Sequence, residues 1–123
     1  MSGMMMMDSM MPAMHRMHAF APAGLLGRAA ALELGADQRS RLEEIRSRTA
    51  PALDSAMGAA RVRQHELTDA LAVELPDAGT VSARFAAAHA AMGLAHQIQL
   101  GAAIQAMHVL TIAQRTHATA RHE

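Results

Sequence analysis

A chain of 123 residues that is half apolar but holds only two aromatic side chains, Phe20 and Phe85, has material for one domain and an arm, with little to fill a bulky core. Eleven arginines, with no lysine, balance eleven acidic residues, which leaves no electrostatic footprint for nucleic acid. The absence of cysteine excludes a disulfide framework, a thiolate metal site and a thiol nucleophile.

Alanine, the best helix former, dominates the apolar content, while Val, Ile and Thr are too scattered for strands. The composition therefore predicts an all-α fold. No stretch reaches the roughly 18 apolar residues of a membrane span. Met4 to Met7 followed by Ala19-Phe20-Ala21 has the outline of a signal peptide. Asp8 and the His15-Arg16-Met17-His18 cluster break its apolar stretch, and no basic segment precedes it.

Residues 1–22 hold nine of the 12 methionines. Gly3, Pro12, Pro22 and Gly24 act against a stable helix, so this segment reads as a flexible arm. It carries the strongest chemical signal in the chain: Met4, Met5, Met6, Met7, Met10, Met11, Met14, His15, Met17 and His18. A thioether is neutral, soft and polarizable, and suits Cu(I) or Ag(I). Imidazole adds a borderline donor that also accepts other transition metals. Met11, Met14 and Met17 recur every three residues with His15 and His18 between them, so one turn of coil could gather several donors. The competing reading is a greasy arm packed on the rest of the chain, or a sink for oxidants.

Residues 23–123 read as a helical domain. A short helical piece is expected over about 22–32, weakened by Gly24 and Gly27. A first long helix follows Leu34, capped around Gly35 with Asp37 at the positive end of its dipole. Its apolar seam is Leu42, Ile45, Thr49, Leu53, Ala56, Ala60, Leu67 and Leu71. Pro51 lies within this run and should kink it, and Leu75-Pro76-Asp77-Ala78-Gly79 should end it in a turn. A second long helix is predicted over 80–109, with Val81, Phe85, Met92, Leu100 and Met107 on one face. Thr111 and Gln114 then form a capping box that opens a short last helix. The sum is a long antiparallel helical hairpin with short flanking helices. One seam per helix is thin, which argues for a homodimer.

At about 100° per residue, His89 and His96 fall within roughly 60° of Met92, on the side that carries Phe85 and Met107. They are a candidate second metal site; the alternative is histidines paired within an apolar seam. His65 reads as solvated, and His117 and His122 suit the C-terminal end of the last helix. There is no phosphate loop, no H-E-x-x-H and no E-x-x-H pair, and no serine sits in a nucleophile motif. The chain reads as non-enzymatic.

Leu110-Thr111-Ile112-Ala113-Gln114 matches the L-T-x-x-Q motif of the Spy/CpxP family of bacterial periplasmic proteins. Leu32-Glu33-Leu34-Gly35-Ala36-Asp37-Gln38 resembles its first copy, with Gly35 in place of threonine. The Pro76-Asp77 turn, the spacing of the copies and the short last helix are also similar, so the resemblance covers residues 30–123. It implies a hairpin that dimerises into a cradle in the periplasm. It also implies one of three roles: an ATP-independent chaperone of unfolded clients, a partner of an envelope sensor protein, or a metal-responsive protein of the CnrX or ZraP type. The chain departs from the basic, lysine-rich cradle of the chaperones. Ala102 and Ala106 replace the His and Met that CnrX-type sensors use before the second motif. The sequence as a whole thus points to a copper- or silver-binding resistance, sensing or buffering protein, with a chaperone of the same fold as the alternative.

Overall fold

The computed structural model describes residues 12–120. Every regular element among them is a helix: residues 12–19 (α1), Pro22–Gly27 (α2), Ala36–Leu71 (α3), Ala78–Val109 (α4) and Ile112–Ala120 (α5). The two long helices pack together, and no described helix is long and apolar enough to cross a membrane. The chain divides into two compact units, Met1–Arg48 with Gln99–Glu123, and Thr49–Ile98.

The first unit holds the larger side chains. Phe20, Leu25 and Leu42 are fully buried, and Leu32, Leu34, Ile45 and Leu110 join them. α3 brings Leu42 and Ile45 to this cluster from the seam that its spacing predicts. Of its predicted face, α4 contributes to this cluster only Met107, half-buried against it. Its buried residues are Ala102, Ala103 and Ala106, while Leu100 and Ile104 are exposed.

The same correction holds in the second unit, where Ala88 and Ala95 are buried and Phe85 is 60% exposed. Small residues spaced by seven let two helix backbones approach closely. A phenylalanine in that line would hold them apart, so the bulky residues stand beside the contact. On α3 the partner residues are Ala56 and Ala60, both buried, with Leu53 and Leu67 half-buried. α3 continues through Pro51 and ends at Leu71, four residues before the predicted turn. Val73 and Leu75 beyond it are exposed and bury nothing that would extend the helix. Asp77 opens α4: its carboxylate accepts hydrogen bonds from the Thr80 amide and hydroxyl, both at 2.9 Å.

A left-handed residue shapes the entry to α3. Glu33 has φ 56°, the Leu34 amide donates to Ala29 O, and the Glu33 amide donates to Ala30 O. This pair of bonds is a Schellman closure, which usually employs glycine at the left-handed position.

The two glutamines of the paired motifs meet in the first unit. Gln114 Oε1 accepts from the Thr111 amide at 2.9 Å, and the Gln114 amide donates to Thr111 Oγ1 at 3.2 Å, completing the predicted box. Gln38 Oε1 accepts from the Gly35 amide at 2.9 Å. Glycine has no hydroxyl to return the bond, so this box is half built. The Gln38 and Gln114 amides also bond each other reciprocally, at 2.7 and 3.1 Å. Each glutamine then reaches a carbonyl at the start of the other motif: Gln38 donates to Val109 O, just ahead of the second copy, and Gln114 to Leu32 O, the first residue of the first. The matching of the two motif copies is thus a physical near-twofold clasp between the starts of α3 and α5.

Candidate metal-binding segment

Residues 12–19 are helical, which corrects the expectation of coil through position 22. Pro12 is the first residue of this stretch of about two turns and no proline or glycine interrupts it, while Pro22 stands in the first turn of α2, where its missing N–H costs nothing. Burial supplies the rest of the reason. Met17 and Phe20 insert into the core of the first unit at 4% and 0% exposure. The Arg16 guanidinium lies over the Phe20 ring, 5.4 Å from its centre, a cation–π contact with the ring face. Arg28 donates to the carbonyls of Ala19 (2.8 Å) and Ala118 (3.2 Å), satisfying the ends of α1 and α5 with a cation.

This anchoring sorts the candidate donors. Met17 faces the core, the role of an ordinary packed methionine. Met14 is half-buried against the same cluster, and His15 and His18 are exposed. On a helix Met14 and His18 lie about 40° apart and one turn apart, while His15 and His18 are about 60° apart. The described part of the segment therefore has two exposed imidazoles, His15 and His18, beside one thioether, Met14, that is half-buried at the edge of the core. Met4, Met5, Met6, Met7, Met10 and Met11 lie outside the described residues.

The second candidate group is not a buried seam. His89 is exposed and stacks on Phe85, with ring centres 6.0 Å apart and planes inclined by 15°. Met92 and His96 are half-buried. His65 and His117 are exposed; His122 lies outside the described residues. Among the described residues no three His, Asp or Glu side chains group as an ion would require.

Phe20 is the residue that sequence reasoning missed, and a signal was available. Met14, Met17 and Phe20 recur every three residues, a spacing that places apolar groups along one side of a helix.

Elsewhere, a shallow open depression of about 320 Å³ is lined by Glu66, Asp69, Ala70, Thr80 and Arg84 in the second unit. Arg63, bonded to Glu66 at 2.8 Å, holds that carboxyl below its ordinary range, with Arg84 adding to the effect. The depression is a small solvated ion network.

Comparison with family models, with curated proteins and with solved structures finds no match for this chain.

Proposed function

We propose that this chain is a non-enzymatic, Spy/CpxP-like protein of the bacterial periplasm that binds Cu(I) or Ag(I) for resistance, sensing or buffering. The observation that carries the reading is the anchored α1, which leaves His15 and His18 exposed beside a half-buried Met14 while Met17 and Phe20 fix it to the core. A soft thioether beside imidazoles is a donor set for monovalent copper or silver, and the histidines extend it to other transition metals. Helix-borne donors at three- and four-residue spacing need little reorganisation to chelate. The Gln38–Gln114 clasp supports the family reading, because it gives the two resembling motifs one shared structural task.

The test is Cu(I) titration of the full chain against a chelator of known affinity, beside a Met14→Leu/His18→Ala variant. Removing residues 1–18 would also remove Met17 from the core, so point changes are the cleaner instrument. The variant should bind measurably more weakly with its helical spectrum intact. Equal affinity in the two proteins would remove α1 from the reading. Because a thioether releases no proton on binding, the Met share of the affinity should persist in mildly acid solution.

A second reading has its own observation. α4 has one charged side chain, Arg84, in 32 residues, and exposes Phe85, Leu94, Leu100 and Ile104. A surface that apolar and uncharged suits a second copy in a homodimer, or the unfolded clients of a chaperone. Sedimentation would give a mass of two chains in the first case. Suppression of aggregation of an unfolded substrate without metal would favour the second.

A further inference from the structure

The Phe85–His89 stack shows how α4 arranges side chains four residues apart. The histidine leans back toward the helix start and covers the residue one turn before it, as helical side chains do. Seven residues on, Met92 and His96 repeat the pair in the same register, now half-buried. His96 has no hydrogen-bonding or ionic partner among the described residues. A partly desolvated imidazole without a protein partner, one turn after a thioether, has a ring-nitrogen lone pair available to a metal ion.

We infer that Met92 and His96 form a soft-metal chelate on α4, a site for Cu(I) or Ag(I) in the second unit that does not use the donors of α1. Two donors at this spacing on one helix face can grip a single ion, as the paired histidines of H-E-x-x-H helices do. Here one donor is a neutral thioether, which shifts the preference from zinc toward monovalent soft ions. The surroundings agree with that charge. α4 offers no carboxylate to attract a divalent cation, and its single cation, Arg84, is two turns away from Met92. The spacing is also recurrent: His15, His18 and His96 each stand four residues after a methionine, Met11, Met14 and Met92. The choice of ion rests on the soft-metal reading proposed above; the site itself does not.

Ag(I), which is diamagnetic and stable in air, is the probe. Titration of the full chain is followed through the methionine methyl and histidine ring signals in NMR spectra. Saturable shifts are expected at the Met92 methyl and the His96 ring. Met92→Leu, a volume-conserving change, should weaken Ag(I) binding at His96 by at least the roughly tenfold that disturbing a ligand's surroundings costs, and leave the shifts at Met14 and His18 in place. His96→Ala should do the same to the Met92 methyl.

If Met92 and His96 stay unmoved at stoichiometric Ag(I) while Met14 and His18 shift, the α4 chelate is wrong and the proposed function stands. If only Met92 and His96 shift, the chelate stands and the role given to α1 falls. If the Met92 shift survives His96→Ala with unchanged affinity, the thioether acts alone and the chelate is refuted.

Discussion

The two units differ in the size of the side chains they bury: large apolar groups lie among alanines in the first, and alanines alone are buried in the second. In Met1–Arg48 with Gln99–Glu123, the turn after α1, α2 and the α4–α5 junction supply Phe20, Leu25 and Leu110 to a cluster that also takes Leu42 and Ile45 from α3. In Thr49–Ile98 the buried residues are Ala56, Ala60, Ala88 and Ala95, and the large apolar side chains Val62, Leu71, Val73, Leu75, Phe85 and Leu94 are exposed. A buried leucine or phenylalanine contributes about 1.5–3 kcal/mol by removal from water, and an alanine methyl well under that. The second unit gains instead from close backbone approach and from the propensity of its alanines. Large buried side chains are thus confined to the first unit, whereas exposed ones occur in both, Leu100, Ile104 and Ile112 among those of the first. Slower amide exchange is expected in the first unit than in the second.

The largest effect that separates the units should come from Phe20→Ala. The ring is fully buried, and such truncations cost about 3–5 kcal/mol. Denaturant unfolding would measure it. A loss near zero would return residues 12–22 to the status of a loose arm.

In the second unit the sensitive change is an addition. Ala95 is fully buried, and Ala95→Leu should force the helices apart at a cost of about 1–3 kcal/mol. Its neighbour Leu94 is 53% exposed, and Leu94→Ala should fall within about 0.5 kcal/mol of the parent. Equal costs at the two positions would mean that α4 packs on its bulky face after all.

These contrasts also mark what the sequence made legible. The α3 seam could be read because Leu42 and Ile45 stand among arginines and glutamates, which fix the phase of the helix. α4 has almost no charge to set a phase. Its bulky residues drew the reading to Phe85 and Leu100, although the alanines at 88, 95 and 102 carry the contact. The Thr111–Gln114 cap was readable because it is local. The clasp between Gln38 and Gln114 joins positions 76 residues apart, and no local rule reaches that far. Among the candidate donors, the soft chemistry of Met14, His15 and His18 was legible. The burial of Met17 was not, because it depends on Phe20 and Arg28 acting from beyond the segment.

A smaller effect tests the clasp. Thr111→Ala removes one half of a complete box and should cost about 1 kcal/mol. Gly35→Ser would supply the half that α3 lacks. A side chain there meets nothing closer than Gln38 Oε1, at 3.8 Å. Since glycine is already a fair cap, the gain should be a few tenths of a kcal/mol. Thermal unfolding of the two variants should move in opposite directions. A shared direction would show that the glutamine pair, and not the hydroxyl, determines the cap.

The smallest effect concerns acid and again separates the units. The helix starts of α3 and α5 in the first unit are closed by neutral amides and a hydroxyl, which do not titrate in acid. α4 begins in the second unit on Asp77, whose carboxylate is held below its ordinary range, first by the Thr80 amide and then by the Thr80 hydroxyl. A carboxyl with a depressed folded value binds its proton more readily in the unfolded chain. Its contribution is therefore complete above the ordinary aspartate range and fades as pH falls through the lowered folded value. Exchange at the Thr80 amide should accelerate, relative to its intrinsic rate, as the solution is acidified across that window. The Gln114 amide, bonded to Thr111, should show no such change. Asp77→Asn keeps an acceptor at the cap while removing the titration, so it should abolish the acid response with little effect near neutral pH. An acid response that survives in Asp77→Asn would place its origin in another carboxylate of the second unit, with Glu66 the first to examine because its arginine partners hold its value down as well.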